Sequence, residues 1–169
     1  MFAYLEREAR GFELIVFIAA ALVLDFFYLF FLSEFLKIVH INFTSTPIGI
    51  NPDLNAFFLF WFFGWLFFQA FLEECIFRLI PLSIVIGAGC KFRAVVFTAI
   101  LSSVIFGLVH GNVYCIFFQG FGGLIYCFLF MKCGGLQKKY GRALLVTTIT
   151  HFLYNGICVV YYLITLSWG

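Results

Sequence analysis

The chain has 169 residues, of which 64% are hydrophobic, 22% aromatic and 11% charged, with 27 Phe, a mean hydropathy of +1.11 and a formal net charge of +2. Soluble domains carry about 45–50% apolar and about 25% charged residues, so a particle of this size has too little polar surface to stay in water. The composition describes an all-α integral membrane protein with a single membrane domain over 1–169. It excludes an intrinsically disordered chain, a disulfide-stapled secreted fold and a basic nucleic-acid binder; the expected partner is the lipid bilayer, with no nucleic acid.

A helix needs about 20 apolar residues to cross a bilayer. In chain order, five runs approach or exceed that length: 12–31, 54–87, 94–109, 113–130 and 143–168. Arg7 and Arg10 precede the first run, but Ala19, Ala20 and Ala21 fall in its middle, which sets aside a cleavable signal peptide. The second run is too long for one straight crossing and contains Pro81, so a tilted or kinked helix is expected, or a span followed by a short interfacial helix. The polytopic fold therefore has about five transmembrane helices, six if that run breaks. Short connections follow at 89–93, at Gly111-Asn112 and at 131–142. The six cysteines show no C-x-x-C pair and read as packing residues.

Nine of the ten Lys and Arg fall at the N-terminus, at the end of the second run with its following turn, or in 131–142; only Lys37 lies on the other side. The positive-inside rule then places the N-terminus in the cytoplasm and the C-terminus outside, in the plasma membrane. Asn42-Phe43-Thr44 becomes an outward-facing glycosylation triplet in a eukaryotic host.

Ionisable groups at membrane depth are costly and are functional candidates by default. Here they are Asp25, Glu73, Glu74, Arg78, His110 and His151. The midpoint of Glu73 and His110 lies between Lys91 and Phe92, so in an antiparallel hairpin the two stand level, roughly 25 Å along each helix from the turn. A second hairpin centred near Leu136 sets His151 level with Gly120-Phe121-Gly122-Gly123, where small residues either admit a neighbouring backbone or leave room for a substrate. Asn155 follows His151 by four residues and shares its face. Glu74 and Arg78 form an i, i+4 pair, which leaves Glu73 as the general base. Asp25 and His40 have no evident partner and read as packing residues, Glu13 and Glu34 as interfacial ones.

Three motifs in order resemble the CPBP family, the CAAX proteases and bacteriocin-processing enzymes also described as Abi or type II CAAX prenyl endopeptidases. They are Glu73-Glu74-Cys75-Ile76-Phe77-Arg78, Phe106-Gly107-Leu108-Val109-His110 and His151-Phe152-Leu153-Tyr154-Asn155. The resemblance implies an intramembrane endopeptidase with a four-helix catalytic core over 54–166, acting on a membrane-anchored protein or peptide. By that analogy Glu73 activates water, His110 orients or helps deprotonate it, His151 and Asn155 stabilise the oxyanion, and Glu74, Arg78 and Phe106 support the site. No cofactor is expected, although Glu73, His110 and His151 would make an adequate zinc set; prenyl specificity is not implied. The competing functions are a small proton or cation transporter subunit and a non-catalytic immunity or partner-binding member of the family.

Overall fold

The computed structural model describes residues 7–38, 56–111 and 113–167. The described chain is 87% helical with no strands. Its elements are α1 (Phe12–Ile38), α2 (Ala56–Glu74), a π-helical turn (Cys75–Leu79), α3 (Ile80–Gly87), α4 (Phe92–Val109), a second π turn (Ile116–Gly120), α5 (Phe121–Phe130), a third π turn (Met131–Gly135) and α6 (Tyr140–Ser167). Four described stretches are long and apolar enough to cross a membrane: Phe12–Glu34, Phe92–Val109, Ile116–Gly135 and Tyr140–Ile164. The expected fifth, the 54–87 run, is helical from Ala56 to Gly87. His40 and the Asn42-Phe43-Thr44 triplet lie outside the described residues.

Polarity is inverted relative to a soluble protein. Phe27, Phe60, Trp65, Ile84, Phe97, Leu145 and Tyr161 are exposed, whereas Asp25, Glu74, Arg78, Lys132 and His151 are buried. A bilayer solvates the first set, and the helical backbone satisfies its own polar groups at that depth.

The long run through Pro81 does not break. Proline has no N–H for the carbonyl four residues back, which is Phe77. The helix widens to π hydrogen bonding just before it, with the Ile80 N–H donating to the Cys75 carbonyl, and the Ser102 hydroxyl of α4 donates to the Phe77 carbonyl. The π turn thus absorbs the proline inside one helical stretch, in place of a break followed by a separate interfacial helix.

Close backbone approach fixes the neighbour of α4. A Cβ built on Gly107 would stand 2.5 Å from the Ile116 Cα, so only glycine lets the chain after Gly111 fold back against this helix. At the third π turn Gly134 has φ +127, and residues 136–139 close the hairpin near the expected midpoint.

One end of the bundle is sealed. Leu82, Ile86, Val95, Phe130 and Ala143 pack there with Tyr140, and Leu14, Phe17 and Ile18 of α1 cover Tyr126, Leu129 and Val146 beside them. Residues 7–10 are clasped over this end. The Ala9 N–H donates to the Lys132 carbonyl at 3.0 Å, and the buried Lys132 ammonium donates to the Arg7 carbonyl at 2.7 Å. Glu8 accepts from Arg10, Lys139 and Arg142.

Candidate active site

Glu74 is completely buried and joins two of the three motifs. Its Oε1 lies 3.2 Å from Arg78 Nη1 and 2.9 Å from His151 Nδ1. A carboxylate paired with a guanidinium only accepts, so His151 carries its proton on Nδ1 and donates to Glu74. That leaves Nε2, which stands 3.6 Å from Glu73 Oε2. His151 therefore bonds Glu74 and stands beside Glu73, which the spacing argument, pairing Glu74 with Arg78 alone, did not anticipate. Glu73 is half-buried, and its Oε1 accepts from Gln69 Nε2 at 3.0 Å.

Aromatic rings wall in the charges. The Arg78 guanidinium sits 4.3 Å over the Phe106 ring, and the same ring meets the His110 ring at 4.5 Å. Phe106 is thus the wall shared by the buried ion pair and the second motif's histidine. Gly123 lies against both Arg78 and Phe106, each 3.1 Å from the position of an added Cβ. The glycine cluster facing His151 serves to admit these side chains to the helix surface.

His110 adjoins the expected connection at Gly111-Asn112: Gly111, with φ +135, ends the helix, and His110 is the C-terminal cap of α4 and exposed. Its Nδ1 lies 2.7 Å from the Phe106 carbonyl oxygen and donates to it.

The motif residues meet at a single cavity of about 490 Å³, whose lining includes Glu73, His110, His151 and Asn155 together with Gln69, Gln119 and Tyr154. Asp25 lines it as well. Reading Asp25 as a packing residue without a partner is corrected here: its Oδ2 accepts from the Tyr126 hydroxyl at 3.2 Å. The signal missed was an acid at mid-span on α1 opposite Gly122, where an added Cβ would lie 3.0 Å from Asp25 Oδ1. Leu29 on α1, Leu66 on α2 and Tyr162 on α6 complete the outline. Each lies farther from the sealed end than the acid or histidine on its own helix, so the cavity extends away from that end.

Among the described residues, no three His, Cys, Asp or Glu side chains stand close enough together to hold a metal ion.

No curated protein and no solved structure matches the chain. The family model described as type II CAAX prenyl endopeptidase Rce1-like matches residues 54–157, which include all three motifs. With more than half of its length matched and residues of all three motifs gathered at one cavity, the chain belongs to the type II CAAX prenyl endopeptidase Rce1-like family.

Proposed function

We propose that the protein is an intramembrane endopeptidase that hydrolyses a peptide bond in a membrane-associated or C-terminally anchored protein or peptide, with Glu73 activating the attacking water. The observation that carries this is the convergence of Glu73, His110, His151 and Asn155, from three helical stretches remote in sequence, on one cavity. Glu73, aligned by Gln69, takes a proton from water as hydroxide adds to the scissile carbonyl. His110 orients that water. Asn155 donates to the oxyanion through its amide, and a doubly protonated His151 does so through Nε2, its charge balanced by the Glu74 carboxylate at Nδ1. Collapse of the tetrahedral adduct breaks the C–N bond, and Glu73 returns its proton to the departing amine. Low water content around the buried Glu74–Arg78 pair strengthens each of these interactions.

The test is cleavage by detergent-purified protein of two quenched-fluorescent peptides, one ending in an S-farnesyl cysteine and three further residues, the other an unprenylated apolar helix. Glu73→Ala and His110→Ala are each expected to lower turnover by about 10²-fold or more. Cleavage is expected to persist in EDTA. Undiminished cutting by both variants overturns the assignment.

The same reading puts the sealed, basic end in the cytoplasm. It holds Arg7, Arg10, Lys91, Arg93, Lys132, Lys138, Lys139 and Arg142, and the excess of Lys and Arg marks the cytoplasmic side.

A further inference from the structure

Asp25 stands apart from the family match, on a helix that precedes it, and yet reaches the same cavity. It is 3% exposed in the middle of α1, flanked on both sides by apolar residues from Leu14 to Leu32. Such a group is expensive in a bilayer unless its partner or its function offsets the cost. Its partner is Tyr126, whose hydroxyl donates to Oδ2 at 3.2 Å across 101 positions of sequence. The ring of Tyr126 lies in turn on the His151 imidazole, centroids 5.0 Å apart and planes inclined by 21°. Gly122, one turn before Tyr126 on α5, is the position where any side chain would push the carboxylate away.

From this chain of contacts we infer that Asp25 is a positioning residue for the proposed peptidase: it anchors the Tyr126 hydroxyl, and the anchored ring fixes the plane of His151. The inference rests on the endopeptidase reading for its kinetic consequences but not for its geometry. Glu74 grips His151 only through Nδ1, and a ring held at one nitrogen still rocks about that bond. Stacking on a fixed ring removes the rocking and keeps Nε2 toward Glu73, 3.6 Å away. Tyr126 itself is a phenol buried to 2% exposure, and a buried hydroxyl without an acceptor pulls its ring toward another one. α1 thereby becomes part of the working site, not merely a lipid-facing addition to the core.

The experiment uses the full chain in detergent with the farnesylated peptide, and has a kinetic arm and a spectroscopic arm. Asp25→Ala and Tyr126→Phe are each expected to lower kcat on the order of tenfold with KM within about twofold, because a misaligned group acts on the chemical step. The double variant is expected to be no slower than the worse single one, since both act through one ring. Asp25→Asn, which keeps a carbonyl acceptor, is expected to restore most of kcat, and Gly122→Ala to reproduce the loss. Full kcat in Asp25→Ala, or losses that multiply in the double variant, would overturn the inference.

The second arm needs no turnover. The imidazole C–H signals of His151, identified by their disappearance in His151→Gln, lie in the ring current of Tyr126 and are expected to shift in Asp25→Ala but hardly in Asp25→Asn. Signals that stay in place in folded Asp25→Ala, judged by an unchanged thermal midpoint, also overturn it. A wild-type protein that cuts neither peptide sinks the peptidase assignment while this arm still decides the role of Asp25.

Discussion

Glu74 takes a hydrogen bond from His151 and a salt bridge from Arg78 with no exposed surface of its own, so the three residues stand or fall together. Removing the guanidinium alone strands a carboxylate in low dielectric. Arg78→Met is therefore expected to destabilise the protein by roughly 3–5 kcal/mol, while Glu74→Gln combined with Arg78→Met recovers much of that loss. Unfolding titrations in mixed micelles check both, and equal losses for the single and double variants would refute the coupling. Spacing alone placed Glu73 and His110 level and joined His151 to Asn155, because hairpin midpoints and i, i+4 rows are properties of helices whatever surrounds them. It could not reveal that His151 bonds Glu74, nor that Asp25 has a partner. Both contacts join residues on helices whose rotation about their own axes depends on packing: Gly122 and Gly123 set the approach of α5 to α1 and to Arg78.

At the scale of elements, the second π turn, Ile116–Gly120, interrupts a run read as one span, whereas the first lies beside Pro81, where an irregularity was expected, and the third falls in the expected connection 131–142. Pro81 signalled an irregularity, but its form depended on the hydroxyl of Ser102, which reaches the Phe77 carbonyl across 25 positions of sequence. Gly107 stands in the second motif, and its function there is steric. Gly107→Ala would force a methyl into the Ile116 backbone, and overpacking of this kind costs typically about 1–3 kcal/mol. A thermal midpoint equal to wild type would show that the segment after Gly111 packs otherwise. The clasp over the sealed end was invisible in a tally of positive charges, since its acid, Glu8, sits among them. Its carboxyl is lowered from the ordinary 4.5 to about 2, chiefly by the hydrogen bonds from Lys139 and then Arg10. A depressed carboxyl contributes stability above its unfolded value and loses it as pH falls through the folded one, so the clasp weakens between pH 4.5 and about 2. In Glu8→Gln that part of the acid dependence is expected to vanish from a plot of thermal midpoint against pH; an acid limb identical to wild type would assign it to other carboxylates.

For the whole molecule, two vectors run in opposite directions. The basic residues collect where residues 7–10, the 88–91 turn and the 136–139 turn meet, and the cavity extends from the level of Asp25, Glu73 and His151 toward the other end. The common location of the turns is fixed by contact: the Tyr140 hydroxyl at the start of α6 reaches the Ser83 carbonyl and stands 3.8 Å from where a Gly87 side chain would begin. If the basic end is cytoplasmic, as the charge rule requires, the cavity extends toward the outer leaflet and its substrate is a chain segment reached from that side or from within the membrane. A cytoplasmic protein anchored at its C-terminus would need the reverse orientation, so sidedness decides between two substrate classes. Cys90 reports it. It is exposed in the turn at the basic end, whereas Cys115, Cys127 and Cys133 are buried. A membrane-impermeant maleimide is expected to label Cys90 in inside-out vesicles and not in right-side-out ones, with Cys90→Ser removing the signal. Labelling from the outside instead would turn the molecule over, direct the cavity to the cytoplasm, and make a C-terminally anchored cytoplasmic protein the substrate to pursue.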